Sequence, residues 1–321
     1  MRRILGCILL SVVLGPPRPS QATDYQFTTI DVPFARTQAT SVVGLSAVQG
    51  LIGAYLDAGN RDQGFLQVQG TFVTLLNVVP QAVNTAGAIV GFYTSDKLRG
   101  FVFQDGTFTP LEFPAVGVPP QFSLLTEAEG INDAGVIVGD YRDGQGTFHS
   151  FQYDPTATPR YQSFDPPWPH TGSGATGINN GGVIVGIFFD AQGLHGYLKD
   201  GDTWTMLNAP GAVTTEPVAI NDAGQIVGLA DGSTFVFDGT TFTTVVHPDG
   251  GLTQAHSISQ TGVLVGRYLD TQGVDHGFLA TPQAGIAPPA GAARAAVQGA
   301  SARLLVPLCG PGNRRWSCRH P

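Results

Sequence analysis

The sequence predicts an all-β fold: a six-bladed β-propeller with four strands per blade, its ring closed by the N-terminal strand. Three observations predict it. A ten-residue block recurs six times. Its copies end on Gly53, Gly91, Gly139, Gly186, Gly228 and Gly266, a spacing of 38 to 48 residues that leaves room for four short strands. A fourth-strand pattern is missing after the last block, yet one stands unpaired ahead of the first.

Taken in chain order, residues 1–22 read as a secretory signal peptide. Arg2 and Arg3 precede an apolar run over 4–14 that is too short to span a membrane, and Ser20-Gln21-Ala22 offers a small-x-small cleavage site. The expected location is secreted or periplasmic. Next comes Tyr25-Gln26-Phe27-Thr28-Thr29-Ile30-Asp31-Val32, an isolated strand of the fourth-strand type. Placed beside the last sheet, it would complete that sheet and remove an open edge. The propeller is expected over residues 23–280.

The clearest copy of the block is Gly130-Ile131-Asn132-Asp133-Ala134-Gly135-Val136-Ile137-Val138-Gly139; residues 177–186 and 219–228 follow it closely, and 44–53, 82–91 and 257–266 more loosely. It reads as strand, tight turn, strand. The turn opens on Ser46, Asn84, Asn132, Asn179, Asn221 or Ser259, short polar side chains that fold back onto backbone N–H groups. It closes on Gly87, Gly135, Gly182, Gly224 or Gly262, where a positive φ is tolerated. The first copy has Gln49 there, so a distorted turn is expected. The terminal glycine lies within a strand and predicts close approach by the aromatic residue of the next strand.

The first strand of each repeat would lie nearest the ring axis. One of its positions is always small: Gly44, Ala82, Gly130, Gly177, Ala219, Ser257. The position before it varies freely: Val43, Gln81, Glu129, Thr176, Val218, His256. Such variation on a constant scaffold is where function is expected. The third strand carries a small residue and an aromatic, as in Gly64-Phe65 and Gly196-Tyr197, and the fourth reads like Gly106-Thr107-Phe108-Thr109. Residues 281–321 carry no repeat element and are rich in Ala, Pro and Arg, the composition of a disordered tail.

Only 12% of residues are charged, with 43 Gly and 23 Pro, which suits an exported all-β chain. The leader and tail hold eight arginines and no acid, leaving eight basic residues against 24 acidic ones in the repeats. That balance excludes nucleic-acid binding through the propeller surface. No cysteine lies between 24 and 280, so disulfides do not build the fold; Cys309 and Cys318 sit in the tail without zinc spacing. Neither a phosphate loop nor a nucleophile elbow nor a His-Glu-x-x-His pattern is present, so no cofactor and no metal site are expected. Asp-Gly turns such as Asp143-Gly144 read as plain turns.

The repeats resemble those of the HAF-repeat family of bacterial extracellular proteins, named for a His-Ala-Phe triplet. The triplets here are His149-Ser150-Phe151, His195-Gly196-Tyr197 and His276-Gly277-Phe278, and the flanking Ile-Asn-Asp-Ala-Gly and Ile-Val-Gly elements match as well. The resemblance implies an exported repeat protein and carries no catalytic residue. Gln63, Arg99 and Ser233 replace the histidine in three repeats, so a structural hydrogen-bonding role is expected for it rather than metal ligation.

Functional chemistry is expected on the face carrying the sheet-to-sheet links, the longest of which follow Pro114 and Asp165. The candidate ligand-binding residues are Trp168, His170, Glu127, Glu129, His256 and Glu216, with Arg36, His247 and Asp249 nearby in other repeats. No catalytic residue is assigned. Two function classes follow. The first is a monomeric, non-catalytic binding or scaffold module for carbohydrate or an extracellular protein. The second is a propeller hydrolase or lyase acting on an extracellular polysaccharide or lactone. The first expects no clustered titratable groups at the channel mouth; the second requires them within hydrogen-bond reach.

Overall fold

The structure is a computed structural model and describes residues 25–35, 40–114, 125–249 and 251–283. Its 24 strands form six antiparallel four-stranded sheets. Blade 1 is β2 (Thr40–Ser46), β3 (Gly50–Leu56), β4 (Asp62–Val68) and β5 (Thr71–Leu75). Blade 2 is β6 (Val78–Val83), β7 (Ile89–Thr94), β8 (Leu98–Gln104) and β9 (Thr107–Leu111). Blade 3 is β10 (Leu125–Ile131), β11 (Ile137–Arg142), β12 (Phe148–Tyr153) and β13 (Tyr161–Phe164). Blade 4 is β14 (Gly172–Ile178), β15 (Ile184–Asp190), β16 (Gly193–Asp200) and β17 (Thr203–Leu207). Blade 5 is β18 (Thr215–Ile220), β19 (Ile226–Ala230), β20 (Ser233–Phe237) and β21 (Phe242–Thr244). Blade 6 is β22 (Thr253–Ile258), β23 (Leu264–Leu269), β24 (Asp275–Pro282) and, from the other end of the chain, β1 (Tyr25–Ile30).

The all-β, six-bladed propeller expected from the repeats is therefore the fold, and β1 closes it. Tyr25 pairs with Pro282 and Ile30 with Gly277 along the whole of β1. The first strands of successive blades pack side by side round the ring, β22 meeting β2 at the seam.

Each expected close contact has a physical basis. The block-ending glycine stands directly opposite the third-strand aromatic in all six blades: Gly53 with Phe65, Gly91 with Phe101, Gly139 with Phe151, Gly186 with Tyr197, Gly228 with Phe235, Gly266 with Phe278. Those rings are at most 2% exposed. A Cβ at Gly186 would lie 2.5 Å from the Tyr197 ring. The small position of the first strand seats that strand against its neighbour, a Cβ on Gly130 meeting the Gly177 Cα at 3.0 Å.

The Asn-Asp pair of the turn has a further use. Asn132 Oδ1 accepts from the Val136 N–H, which holds its own turn, while Asn132 Nδ2 donates to the Asn179 carbonyl of the next blade at 3.2 Å. Asn84, Asn179 and Asn221 make the same step to the blade that follows each. One residue on, the Thr85, Asp133, Asn180 and Asp222 N–H groups donate to Asp133, Asn180, Asp222 and Gln260. The block is thus a turn and a clasp between blades. In blade 1 the turn shifts as Gln49 predicts: the positive φ falls on Gly50, and Gln49 reaches the Gly87 carbonyl instead.

Candidate functional site

Every first strand carries a β-bulge at the same place. Pairing to the second strand skips Val43, Gln81, Glu129, Thr176, Val218 and His256. These are the residues that the repeat leaves variable. A bulge leaves its extra residue unpaired and re-aims the side chain, and here the bulges form one ring of innermost strands.

In blade 3 this device assembles a carboxyl cluster. Glu127 stands directly opposite Asp140 of β11, so the two share one face of the sheet, and the bulge adds Glu129. One carboxyl oxygen from each of Glu127, Glu129 and Asp140 lies within 4.8 Å of the others. Gln81 of blade 2 donates both to Oε1 and to Oε2 of Glu129, at 3.3 and 3.1 Å. Asp140 is 8% exposed, and its Oδ2 is buried without a hydrogen-bond partner. The space beside it exists because the facing position in blade 4 is Gly174, whose Cβ would sit 3.4 Å from the Asp140 Cβ.

Three acids so close together oppose ionisation. Burial raises the Glu127 carboxyl above its ordinary range, and a hydrogen bond from Glu129 draws it partly back. Glu129 is pushed up to about 8, first by burial and then by the Glu127 charge, with the Gln81 amide opposing. Burial and the two glutamate charges push Asp140 well above the carboxylate range. Glu216 of blade 5 is raised by burial and adds its charge to the field at Glu129. All three carboxyls therefore favour their protonated forms above the ordinary carboxylate range.

Blade 6 lies diametrically across the ring and carries different groups. The His256 Nδ1 stands 3.2 Å from Ser41 Oγ, and Arg267, at the position equivalent to Asp140, grips Gln254 and Asp275. The inner strands therefore gather acids in blade 3 and amide, imidazole and guanidinium groups in blade 6.

The link residues lie elsewhere. Trp168, a ligand-binding candidate, is half-buried, stacked on Phe188 with centroids 5.3 Å apart and edge-on to Trp204. His170 Nδ1 lies 2.6 Å from the Trp168 carbonyl oxygen, which holds the link on itself. The same place is taken by Phe113, stacked on Tyr141 at 3.8 Å, and by His247, stacked on Tyr268 at 3.6 Å. Trp168 is thus one of a set of link rings clamped over the second strand of the following blade. Arg36 and most of the link after Pro114 lie outside the described residues.

The triplet histidines flank these same rings from the other side: His149 stacks on Tyr141, His195 on Phe188 and His276 on Tyr268. Their nitrogens bridge the turn after the second strand to the end of the fourth. His149 meets Asp165 at 2.8 Å and Asp143 at 3.5 Å; His276 meets Asp31 at 2.9 Å and Asp270 at 3.5 Å; His195 meets Asp190 and Asn208. Gln63 makes the equivalent bridge between Asp57 and the Asn77 N–H. The aspartates of the turns are occupied by their own loops, Asp143 Oδ1 accepting from Gln145 and Thr147 and Asp270 Oδ1 from Gln272 and Val274.

Of the six candidates, the structure brings Glu127 and Glu129 into contact and places Glu216 within their field. His256 is across the channel, and Trp168 and His170 are in the outer clamp. Sequence reading missed Asp140. Its signal was available: the position after the block-ending glycine is Ala54, Phe92, Asp140, Ile187, Leu229 and Arg267, apolar in four repeats and charged in two.

No known protein family and no curated protein matches the chain. Solved structures do. A gluconolactonase of Xanthomonas campestris superposes with a TM-score of 0.53 at 13% identity, over 84% of this chain and 95% of that one. A virginiamycin B lyase of Staphylococcus aureus gives a TM-score of 0.46 at 13% identity, over 84% and 92%. A lectin of Aleuria aurantia gives 0.48 at 10% identity, over 76% and 91%. The likeness is one of fold. Among the described residues no helix is long and apolar enough to cross a membrane.

Proposed function

We propose that this chain is an exported propeller hydrolase whose working site is the carboxyl cluster in its channel, acting on a small oxygen-rich substrate such as a lactone. The observation that carries the reading is the convergence of Glu127, Glu129 and Asp140 within 4.8 Å. A carboxyl pair sharing one proton supplies a base and an acid together. In the reaction, Glu127 takes a proton from water, whose oxygen bonds to the acyl carbon. The ring C–O bond breaks, and Glu129 gives its proton to the departing alkoxide. Gln81 holds Glu129 in place. The cluster is only partly open to solvent within the ring of first strands, which favours a small substrate over a polymer.

A panel of lactones and short oligosaccharides, followed by proton release and by NMR, tests this reading. The parent should turn over at least one lactone, and E127Q and E129Q should lower kcat by about 10²–10⁴-fold with the fold intact. Turnover by E129Q within twofold of the parent sinks the assignment. Export is tested separately: N-terminal sequencing of secreted protein should begin after Ala22, and Met1 still attached would count against it.

A second reading, a non-catalytic module binding carbohydrate or an extracellular protein, is favoured by the opposite wall. Arg267 and Gln254 are fixed to one another, and His256 to Ser41, as in a surface that orients a ligand. Retention of a glycan by the parent and by E129Q alike, with no turnover of any lactone, selects it.

A further inference from the structure

We infer that Glu127, Glu129 and Asp140 form a divalent-cation site, and that calcium is the ion it fits. The inference rests on the reading that the channel cluster is the working site; an ion there would take the place of the protons the carboxyls hold in the cation-free protein, to which the proton transfers above belong. Two observations carry it. The first is the three carboxyl oxygens, from two adjacent strands and a bulge, gathered within 4.8 Å. The second is independent of that grouping: Asp140 Oδ2 is buried, its residue 8% exposed, and no donor among the described residues reaches it. An orphaned buried carboxyl oxygen in a native interior is met either by a proton or by a cation. Among the described residues no arginine or lysine fills that role. Arg267, the charged residue at the equivalent strand position, is on the opposite blade and bound to Gln254 and Asp275.

The donors and their spread choose the ion. All three are carboxylate oxygens, which suit hard cations and not zinc or copper. Calcium holds oxygens at about 2.3–2.6 Å, so oxygens on opposite sides of the ion stand about 4.6–5.2 Å apart. Oxygens that all lie within 4.8 Å of one another are compatible with that span. Magnesium, at about 2.0–2.1 Å, demands a tighter and near-octahedral set, which three carboxyls on one sheet and its bulge are less suited to supply. The remaining positions fall to water or substrate oxygens on the open side. Gln81, by engaging both oxygens of Glu129, sets the rotamer of one ligand. Gly174 supplies the room, since a side chain there would press on Asp140.

The test uses the full chain, stripped with EDTA and dialysed, and titrated calorimetrically with calcium chloride alone. One ion per chain is expected to bind, with a higher melting temperature in its presence. D140N should weaken the affinity at least about 100-fold while keeping a propeller circular-dichroism spectrum; if D140N does not fold, E129Q is read in the same way. Magnesium and manganese chloride run as parallel arms and should bind more weakly. Absence of heat and of any melting shift with all three salts at about 10 mM, the weak limit of calcium modules, overturns the inference. So does binding that persists in both variants, which would place the ion elsewhere. Lactone turnover that survives EDTA in a protein that binds no cation would sink the site and leave the proposed function standing. Cation binding without turnover of any substrate would do the reverse.

Discussion

Glu129 shows how one residue acquires chemistry from its surroundings. Its raised carboxyl has a direct consequence for stability in the metal-free protein. A carboxyl whose folded value lies above its unfolded one binds more protons in the native state, so stability is greatest below the ordinary glutamate range and declines as pH rises toward about 8. Glu127, Asp140 and Glu216 face the same proton and act in the same direction. In EDTA the melting temperature of the parent should therefore fall between pH 5 and pH 8 by a few degrees, on the order expected for a kcal/mol or two in a domain of this size. E129Q, read by differential scanning calorimetry across that range, should show a shallower decline. An equal slope in both would mean that Glu129 is ionised throughout. His276 contributes with a different origin. Desolvation works against its charge, but the Asp31 and Asp270 carboxylates win and raise its pKa. The stability it lends is present below the ordinary histidine range and is lost as pH rises through the raised value.

At the scale of elements, the repeat block is best understood as a connector. Its asparagine binds its own turn with one atom and the next blade with the other. Replacing Asn179 by Ala removes the acceptor for the Val183 N–H and the donor to the Asn221 carbonyl. Asn221 is buried and Val183 partly so, and the expected loss is about 1–3 kcal/mol by chemical denaturation. N179D keeps the acceptor and should recover part of it. If N179A melts like the parent, the clasp is incidental. The link ring is the second connector. Trp168 packs between Phe188 and Trp204, and W168A should lower stability by about 2–3 kcal/mol, less than for a fully buried tryptophan. Unchanged melting with lost ligand binding would instead return Trp168 to the ligand surface.

For the molecule as a whole, closure is the decisive step. β1 supplies the outer strand of blade 6 and also Asp31, which His276 engages. Removing residues 25–32 would leave β24 as an open edge, bury Phe27 no longer against Phe278 and His247, and strand His276. The deletion variant should aggregate or lose cooperative unfolding. A sharp transition at the parent's melting temperature would show that the ring does not depend on its seam.

Local physics made the architecture readable in the chain. A glycine opposite an aromatic, an Asn-to-Gly turn and a lone fourth strand each demand a particular backbone, so six copies of them specify six blades and a closure. The candidate site was legible in part. Glu127, Glu129 and the variable position beside each small residue stand out because the repeat does not require them. Asp140 did not stand out, because its partners come from register. Only pairing sets it opposite Glu127, and only Gly174 of the next blade leaves its oxygen bare. The floor of Trp168 was equally out of reach of the sequence, since Phe188 comes from the following blade. Contacts within one repeat follow from neighbours a few residues apart and can be inferred from the chain. Contacts between repeats depend on how the bulge turns each first strand and how the ring brings blades together, and those the tertiary structure alone decides.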